Sequence, residues 1–326
     1  MEDATHSEYE HAEYAEYSDL AGEEHLHPER YCTDAACVTT VIFTVVTCVL
    51  GIAGNGAAIW MTGFKMKKSV NTTWFLSLAL SGFIFCAALP SVIDYRLKQS
   101  WNFGPFMCSL HSFVAYLSIY SSIFILVIIS ADHCLAVTFP VWAQNQRTVK
   151  KASAVVVLVW IASLSLSIPP AQFSITINIQ SIAICYIHYE HHHTVVLMHF
   201  TFGFLIPLLI IFTCYFILIR KLRANQTFRF TKPYRVVALL ITAFFICWLP
   251  FQIVSLLVLD RSNHSFSLFV ALLVCNILAS ANSFLNPLIY VFMNNKKRCS
   301  FLAKTESAEE SAAEATSVED GLSAAV

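Results

Sequence analysis

Residues 105–138, PFMCSLHSFVAYLSIYSSIFILVIISADHCLAVT, contain a single charged side chain, Asp132. A helix needs roughly 20 apolar residues to cross the core of a bilayer, so this stretch can span a membrane and extend beyond it. Six other stretches are similarly apolar, and they lie at about 38–64, 71–97, 149–170, 193–222, 233–259 and 266–292. Because lipid offers no hydrogen-bond partners, each segment must satisfy its own backbone groups. We predict an all-α bundle of seven transmembrane helices.

The composition argues against a soluble protein. Hydrophobic residues make up 57% of the 326-residue chain and charged residues 13%, whereas soluble domains carry about 25% charged residues. The mean hydropathy is +0.63. The predicted helices lack a nucleophile–base set, a metal-ligand cluster and paired carboxylates. We therefore expect no enzymatic activity, no cofactor, no metal and no nucleic-acid partner. A transporter or channel is a remote alternative, because repeats and charge pairs inside the membrane are missing.

The distribution of Lys and Arg predicts the orientation. Sixteen of these residues follow predicted helices 1, 3, 5 and 7, and the other side has only Arg30, Arg96, Lys98 and Arg261. Basic residues collect on the cytoplasmic side of membrane proteins. We therefore expect a multi-pass plasma-membrane protein with its N-terminus outside and its C-terminus in the cytoplasm. The first thirty residues have no apolar core, so the first helix is expected to act as the membrane anchor.

Four regions are predicted along the chain. Residues 1–37 form an acidic extracellular tail with eleven Asp and Glu residues, and residues 38–293 form the bundle. Residues 294–302, NNKKRCSFL, are expected to form a short amphipathic eighth helix on the inner leaflet, in contact with membrane lipid. Residues 303–326 form an acidic cytoplasmic tail. Its serines and threonines are candidate phosphorylation sites, which would favour an arrestin contact.

Cysteines on the outer side are candidates for disulfides. Cys108 lies at the outer start of the predicted third helix and Cys185 lies in the outer loop before the fifth, so both face an oxidising compartment and a bridge is expected. Cys32 and Cys37 are also outside and are a second candidate pair. Cys299 lies inside, among basic residues next to the membrane, which suits palmitoylation. An unmodified thiol is the alternative at this position.

Short motifs in the predicted helices resemble those of rhodopsin-like (class A) G-protein-coupled receptors over nearly the whole chain. They are Gly54-Asn55, Leu78-Ala79, Trp101–Gly104, Asp132-His133-Cys134, Trp160, Pro207, Tyr215, Cys247–Pro250 and Asn286–Tyr290. A carboxylate inside a membrane helix is expensive and usually functional, which agrees with a role for Asp132. The resemblance implies an activation switch built from Asp132, His133, Tyr215, Trp248, Pro250, Asn286, Pro287 and Tyr290.

Two further stretches resemble the chemoattractant branch of that family. Residues 64–76, FKMKKSVNTTWFL, and residues 140–148, PVWAQNQRT, are similar to the corresponding segments of chemerin and formyl-peptide receptors. A chemerin-type receptor, a formyl-peptide-type receptor and a related orphan receptor all remain open.

The chain departs from the family pattern at two positions. His133 stands where relatives usually have an Arg that pairs with the preceding acid and contacts the G protein, and His133 is expected to pair with Asp132 more weakly. This substitution is either a tolerated variant or a cause of weakened G-protein activation. Gly82 stands where relatives usually have a sodium-binding Asp. Neutral oxygens bind sodium poorly, so we expect sodium to have little effect on agonist affinity.

The ligand is expected to meet two surfaces. Tyr9, Tyr14 and Tyr17 alternate with acids and resemble sulfation sites, so the tail would attract a basic ligand; a merely solubilising tail is the alternative. The mouth of the bundle supplies predicted ligand-binding residues with aromatic and few charged groups. They are Asp94, Arg96, Trp101, His111, Tyr116, His199, Trp248, Gln252 and Asn276. Asn263 in Asn263-His-Ser265 is the expected glycosylation site.

The sequence therefore predicts a cell-surface receptor for a chemoattractant peptide or small basic protein. Its expected inner partners are a heterotrimeric G protein, weakly engaged because of His133, and arrestin. The alternative is a decoy receptor that binds and internalises its ligand through arrestin without G-protein signalling.

Overall fold

The structure, a computed structural model, describes residues 32, 35–179, 182–224, 232–259, 267–268 and 270–286. Several predicted features lie outside the described residues. They are Tyr9, Tyr14, Tyr17, Asn263, Pro287, Tyr290, Cys299, the eighth helix at 294–302 and the cytoplasmic tail at 303–326.

Helices make up nearly all of the described chain. They are α1 (Ala35–Trp60), α2 (Val70–Lys98), α3 (Gly104–Thr138), α4 (Pro140–Gln146), α5 (Val149–Gln172), α6 (Tyr189–Phe200), α7 (Ile206–Ala224), α8 (Lys232–Val258) and α9 (Val270–Asn286). A π-helical turn at Met61–Lys65 extends α1, and another at Thr201–Leu205 joins α6 to α7.

Within the described residues, six helical segments are long and apolar enough to cross a membrane, and α9 is a shorter apolar helix. Their positions agree with the predicted spans, so the all-α bundle is confirmed. The short α4 lies in the loop between the third and fourth spans. Large apolar side chains stay exposed on the outside of the bundle, such as Phe212 (69%) and Leu158 (64%), as expected for surfaces that face lipid.

Local sequence signals set the helix ends around the predicted inner loops. Ser69 and Thr72 form a capping box at the start of α2, in which the Ser69 hydroxyl accepts from the Thr72 amide (3.2 Å) and the Ser69 amide donates to Thr72 Oγ1 (2.8 Å). Thr148 caps α5 by accepting from the Lys151 amide. At the outer end of α2, Gln99 adopts a left-handed conformation (φ 50°) that ends the helix.

An antiparallel hairpin lies against the end of the bundle at which α3 begins, and it was not predicted. Strand β1 (Ser174–Ile179) pairs with strand β2 (Ile182–Ile187), with Thr176 opposite Cys185. The stretch is rich in isoleucine, which favours strands. His191, His192 and His193 lie in the first turns of α6, where His191 stacks on Phe173 at 3.9 Å.

Polar contacts hold the spans in register inside the bundle. Trp160 Nε1 donates to Ser77 Oγ (3.0 Å) and links α5 to α2, and the hydroxyls of Ser81 and Ser122 meet at 2.8 Å between α2 and α3. Such contacts matter in lipid because helix association there depends on packing and interhelical hydrogen bonds. The core around them includes Leu78, Ile123, Leu126, Ile129, Phe204, Leu240, Phe244 and Trp248.

Candidate functional site

A disulfide and hydrogen bonds join the hairpin to α3 and to the segment before α3. The predicted Cys108–Cys185 disulfide is present and joins the start of α3 to β2. The amide of Trp101 donates to the carbonyl of Ala183 (2.7 Å), and the amide of Ala183 donates to Ser100 Oγ (3.1 Å). The Cys32–Cys37 disulfide is also present. The Cys108–Cys185 bridge and the two hydrogen bonds hold the hairpin against the start of α3 and the segment before it.

A cavity of about 280 Å³ lies between α1, α2, α3, α8 and α9, with His199 of α6 on its wall. Six of the predicted ligand-binding residues line it, and they are Arg96, His111, Tyr116, His199, Trp248 and Asn276. The lining is mostly apolar, with additional aromatic side chains from Phe43, Phe85 and Phe251. This combination of an apolar wall and a few polar groups is typical of ligand sites.

The other predicted ligand-binding residues lie beside the cavity rather than on its wall. Asp94 is paired with Lys98 at 2.7 Å, one helical turn away. Trp101 is 2% exposed, and its indole donates to the carbonyl of Gly104 (3.0 Å). Gln252 is 1% exposed and donates to His199 Nδ1 (3.3 Å). Trp101 and Gln252 therefore support the walls of the cavity.

His199 is enclosed by aromatic rings. Tyr116 and Trp248 meet its imidazole edge-on at centroid distances of 5.7 Å, and Tyr120 and Phe251 lie at 6.1 Å. The Nε2 atom is buried and has no hydrogen-bond partner among the described residues. Since His199 touches Trp248, an occupant of the cavity would act directly on a residue of the predicted switch. Tyr120 and Phe251 were not among the predicted site residues.

The inner end of the cavity is polar but uncharged. Gly82, Ser118, Ser122, Asn282 and Ser283 line it, and the described lining contains no carboxylate. The oxygens Ser118 Oγ and Asn282 Oδ1 are buried without a partner among the described residues. Buried polar atoms of this kind are usually satisfied by ordered water.

Gly82 makes room for Asn55 in α1. The Nδ2 group of Asn55 donates to the carbonyls of Gly51 and Ser283, both at 2.9 Å, and so joins α1 to α9. A Cβ atom at position 82 would lie 2.7 Å from Asn55 Oδ1, which is closer than real contacts allow. The absence of a side chain at position 82 is therefore a packing requirement here.

A polar cluster ties three segments together at the inner end of the bundle. Arg147 donates hydrogen bonds to both carboxylate oxygens of Asp132. Its Nε lies 2.9 Å from Oδ1 and 3.1 Å from Oδ2, and its Nη2 lies 2.8 Å from Oδ2. Arg147 also donates to Asn71 Oδ1, and Trp74 Nε1 donates to Asp132 Oδ2 (3.2 Å). We call Asn71, Trp74, Asp132 and Arg147 the inner clamp. It joins the start of α2, the end of α3 and the segment before α5.

The expected pairing of His133 with Asp132 is wrong. The His133 ring is buried (8% exposed), and its Nδ1–H donates to the carbonyl of Ile129 at 2.7 Å, while Asp132 forms its ion pair with Arg147. Arg147 prevails because its planar guanidinium reaches both carboxylate oxygens, which an imidazole cannot do. The imidazole therefore points back along α3.

The remaining switch residues lie along α7, α8 and α9. Trp248 is mostly buried and packs on Phe244 (6.2 Å), and Pro250 interrupts the hydrogen bonding of α8 two residues later. Tyr215 packs against the core from α7. Asn286 ends the described part of α9 with its Oδ1 buried. Trp248 lines the cavity, and Trp248 and Tyr215 pack in the same core cluster.

A family model described as "7 transmembrane receptor (rhodopsin family)" matches residues 54–290. The chain belongs to this family. Chemerin-like receptor 1 of Homo sapiens is 36% identical over 276 residues, covering 78% of this chain and 74% of the relative. Formyl peptide receptor 2 of Mus musculus is 34% identical over 290 residues, covering 81% and 82%.

The C3a anaphylatoxin chemotactic receptor of Oncorhynchus mykiss is similar as well, with 35% identity over 269 residues that cover 78% of this chain and 74% of the relative. These relatives place the receptor in the chemoattractant branch of the rhodopsin family and identify it as a multi-pass protein of the plasma membrane. Members of this family are receptors and not enzymes.

The pairing of Asp132 in the inner clamp differs from the pairing that is usual in this family. In a rhodopsin-family receptor the inner end of α3 faces the cytoplasmic partner, and the Asp132 position usually pairs with the next residue. In this receptor Asp132 pairs instead with Arg147, which lies fifteen positions further along the chain. The end of α3 is therefore held by a residue of the segment between α4 and α5, and position 133 presents no permanent positive charge.

Proposed function

We propose that this receptor is activated by a chemoattractant peptide or small basic protein and couples weakly to a heterotrimeric G protein. The single observation that carries the proposal is the cavity, because it reaches from Arg96 to the switch residue Trp248. A ligand that shifts the population of Trp248 conformations would bias the inner end of the bundle.

The acidic tail supports a basic protein as the ligand. Residues 1–37 carry eleven acids against one base, and the N-terminus is proposed to lie outside. The Cys32 amide donates to the carbonyl of Leu97 at 3.2 Å. The last residues of the tail therefore lie against the end of α2 that carries Arg96, a residue of the cavity wall. A negative arm anchored there would concentrate a cationic ligand at the mouth of the site.

Position 133 supports weak coupling. His133 is buried against the carbonyl of Ile129 and offers no permanent positive charge to a G protein. The same observation favours the second candidate function, a decoy receptor that engages arrestin and internalises its ligand without activating a G protein.

An arrestin-recruitment assay tests the proposed ligand class. We would present chemerin, a formyl peptide and C3a, the ligands in the names of the relatives, to cells that express the native receptor or a triple variant with Tyr9, Tyr14 and Tyr17 changed to Phe. We propose that these three tyrosines carry sulfate, which Phe cannot accept, so the triple variant loses negative charge. We expect a protein ligand to recruit arrestin and to lose roughly tenfold in potency in the triple variant, as close charge pairs can contribute about 1.5 kcal/mol or more.

Tyr31→Phe is the matched control, because Tyr31 lies between Arg30 and Cys32 and outside the acidic run. Its potency should equal that of the native receptor. Raising the salt concentration should reduce the difference between native receptor and triple variant. Failure of all three ligands to recruit arrestin, or equal potency in the triple variant, would contradict the proposal.

A further inference from the structure

We propose that His188 and His191 form a binding site for zinc at the start of α6. Their imidazole rings are neighbours, with centroids 6.1 Å apart and an angle of 46° between the ring planes. His188 is the N-cap residue of α6, and His191 lies three positions later. Imidazole nitrogen is a preferred ligand of zinc in proteins. The site goes beyond the proposed function, because neither histidine is among the described residues that line the cavity.

The spacing of the two histidines places their rings on the same side of the helix start. Residues three positions apart are neighbours on a helix surface, whereas adjacent residues do not face each other. The run of histidines at 191–193 alone therefore predicts no metal site. Among the described residues, no three metal-ligating side chains converge. The site thus has two protein ligands, and water completes the coordination of the ion.

The separation of the two rings suits a shared ion. Zinc binds imidazole nitrogen at about 2.0–2.1 Å, so two rings on one tetrahedral ion have centroids roughly 5 to 6 Å apart. The observed 6.1 Å requires only a small rotation of the His188 ring. Rotation about the last side-chain bond of histidine has a broad energy minimum. The pair can therefore close on an ion without a change in the backbone.

Contacts with Phe173, the residue before β1, hold both histidines in place. The His188 amide donates to the carbonyl of Phe173 (2.8 Å), and the His191 amide donates to the carbonyl of His188 (3.1 Å). The ring of His191 stacks on Phe173 at 3.9 Å, with 18° between the planes. Stacking covers a face of the imidazole and leaves its nitrogens at the edge, and both histidines are partly exposed. Ligands held in this way lose little entropy when they bind an ion.

The charges near the site also favour a cation. Residues 152–219 contain no Lys or Arg, so no basic side chain close in sequence repels the ion. Cys185, three residues before His188, is bridged to Cys108, which is typical of an oxidising, extracellular setting. On the proposed orientation the acidic tail at 1–37 lies on the same side of the membrane and raises the local concentration of cations.

Zinc at this site would join the end of the hairpin to α6. The same helix carries His199, which lines the cavity and packs against Trp248 with ring centroids 5.7 Å apart. The ion would therefore stabilise the arrangement of the hairpin and α6 without occupying the cavity. This action requires only that zinc binds the folded receptor better than the unfolded chain.

Calorimetric titration of zinc chloride into the full-length receptor in nanodiscs tests the site. Half of the ligands of a structural zinc site should supply about half of its binding free energy, which predicts a Kd of roughly 1–100 μM. His188→Ala and His191→Phe should each weaken binding at least about tenfold, because one of two ligands is lost. His191→Phe keeps a ring to stack on Phe173 and removes both nitrogens. His193→Phe is the matched control and should bind zinc as the native receptor does.

A second measurement separates this site from weak binding elsewhere. Excess calcium and magnesium would be present throughout, because these hard cations prefer carboxylates and would occupy weak sites in the acidic tail. Zinc should raise the unfolding temperature of the native receptor and of His193→Phe, and leave that of His191→Phe unchanged. In EDTA the native receptor and His191→Phe should unfold at the same temperature, which would show that the variant is folded.

Three results would overturn the inference. They are no saturable zinc binding in the predicted range, equal zinc binding by the native receptor, His188→Ala and His191→Phe, and loss of binding in His192→Phe with retention in His191→Phe. The titration needs no peptide ligand. Its outcome is therefore independent of the arrestin assay that tests the proposed function.

Discussion

Replacing Arg147 by Gln is expected to destabilise the receptor far more than replacing Asp132 by Asn. The side chain of Asp132 is 13% exposed and that of Arg147 is 30% exposed. Loss of Arg147 would leave a mostly buried carboxylate with only the Trp74 indole as a described donor. Breaking a buried ion pair from one side costs about 3–5 kcal/mol, and partial exposure should reduce this to about 2–3 kcal/mol.

In the opposite variant, Asp132→Asn, the introduced amide oxygen would still accept hydrogen bonds from Arg147 and Trp74. Arg147 would keep its bond to Asn71 and its contact with water. We therefore expect a loss of about 1 kcal/mol, typical of a weakened hydrogen bond. The measurement is thermal unfolding of the purified variants in the same detergent.

A double-mutant cycle tests whether the inner clamp acts as a unit. Residues in direct contact show coupling energies of about 0.5–3 kcal/mol. Adding Arg147→Gln to Asp132→Asn should therefore cost much less than Arg147→Gln costs alone, because no carboxylate would remain to be stranded. Lys150→Gln removes a nearby positive charge that is absent from the clamp and is the matched control. Additive losses, or equal losses in the two single variants, would contradict this assignment.

Replacing Gly82 by Ala is expected to have a comparably large effect. The new Cβ atom would lie 2.7 Å from Asn55 Oδ1 and 2.9 Å from its Nδ2. Asn55 is 0% exposed and is held by two hydrogen bonds, so it cannot move without breaking the link between α1 and α9. Overpacking costs about 1–3 kcal/mol and a lost hydrogen bond adds about 1 kcal/mol.

Thermal unfolding of Gly82→Ala provides the measurement, and Gly63→Ala provides the control. A Cβ atom at position 63 would meet Leu76 Cδ1 at an ordinary 4.0 Å. In an Asn55→Ala background, the Gly82→Ala change should cost little, since the obstructing side chain is gone. A full penalty in that background would show that the clash with Asn55 is not the cause.

The neutral side chains around Gly82 also predict how sodium affects agonist affinity. Among the described residues, the oxygens at the inner end of the cavity are all neutral, so agonist affinity should be equal in sodium chloride and in N-methylglucamine chloride of the same ionic strength. Gly82→Asp should not simply create a sodium site, because its Cβ meets the same obstruction by Asn55.

Hydropathy was sufficient to predict the bundle. Apolar length predicts each span, and the cysteines at 108 and 185 were correctly paired because both were assigned to the same side of the predicted bundle. The β-hairpin was missed although its signal is present in residues 174–187, where isoleucines flank the polar pair Gln180-Ser181. The β-branched residues in that loop are typical of strands and favour the hairpin.

The inner clamp could not be predicted from local sequence. Asp132 and Arg147 meet because α4 folds back between α3 and α5, and Asn71 arrives from α2. Residues next to each other in sequence, such as Asp132 and His133, point in different directions on a helix. A hint was nevertheless present, since Asn71 and Trp74 lie in residues 64–76 and Arg147 lies in residues 140–148, the two segments that resemble chemoattractant receptors.

The role of position 133 is the central claim about signalling. His133 is directed toward the carbonyl of Ile129, and Asp132 is already occupied by Arg147. An arginine at position 133 would therefore be free to project toward the inner face and contact a G protein. His133→Gln, which keeps the position neutral, should not have this effect.

The most direct test is ligand-driven nucleotide exchange on purified G protein, using whichever of chemerin, formyl peptide or C3a recruits arrestin. We predict a small but measurable stimulation by the native receptor and by His133→Gln, and a stimulation several-fold larger by His133→Arg. Stimulation by His133→Arg alone would identify a decoy receptor. Native stimulation equal to that of His133→Arg, or none with any variant, would contradict the account.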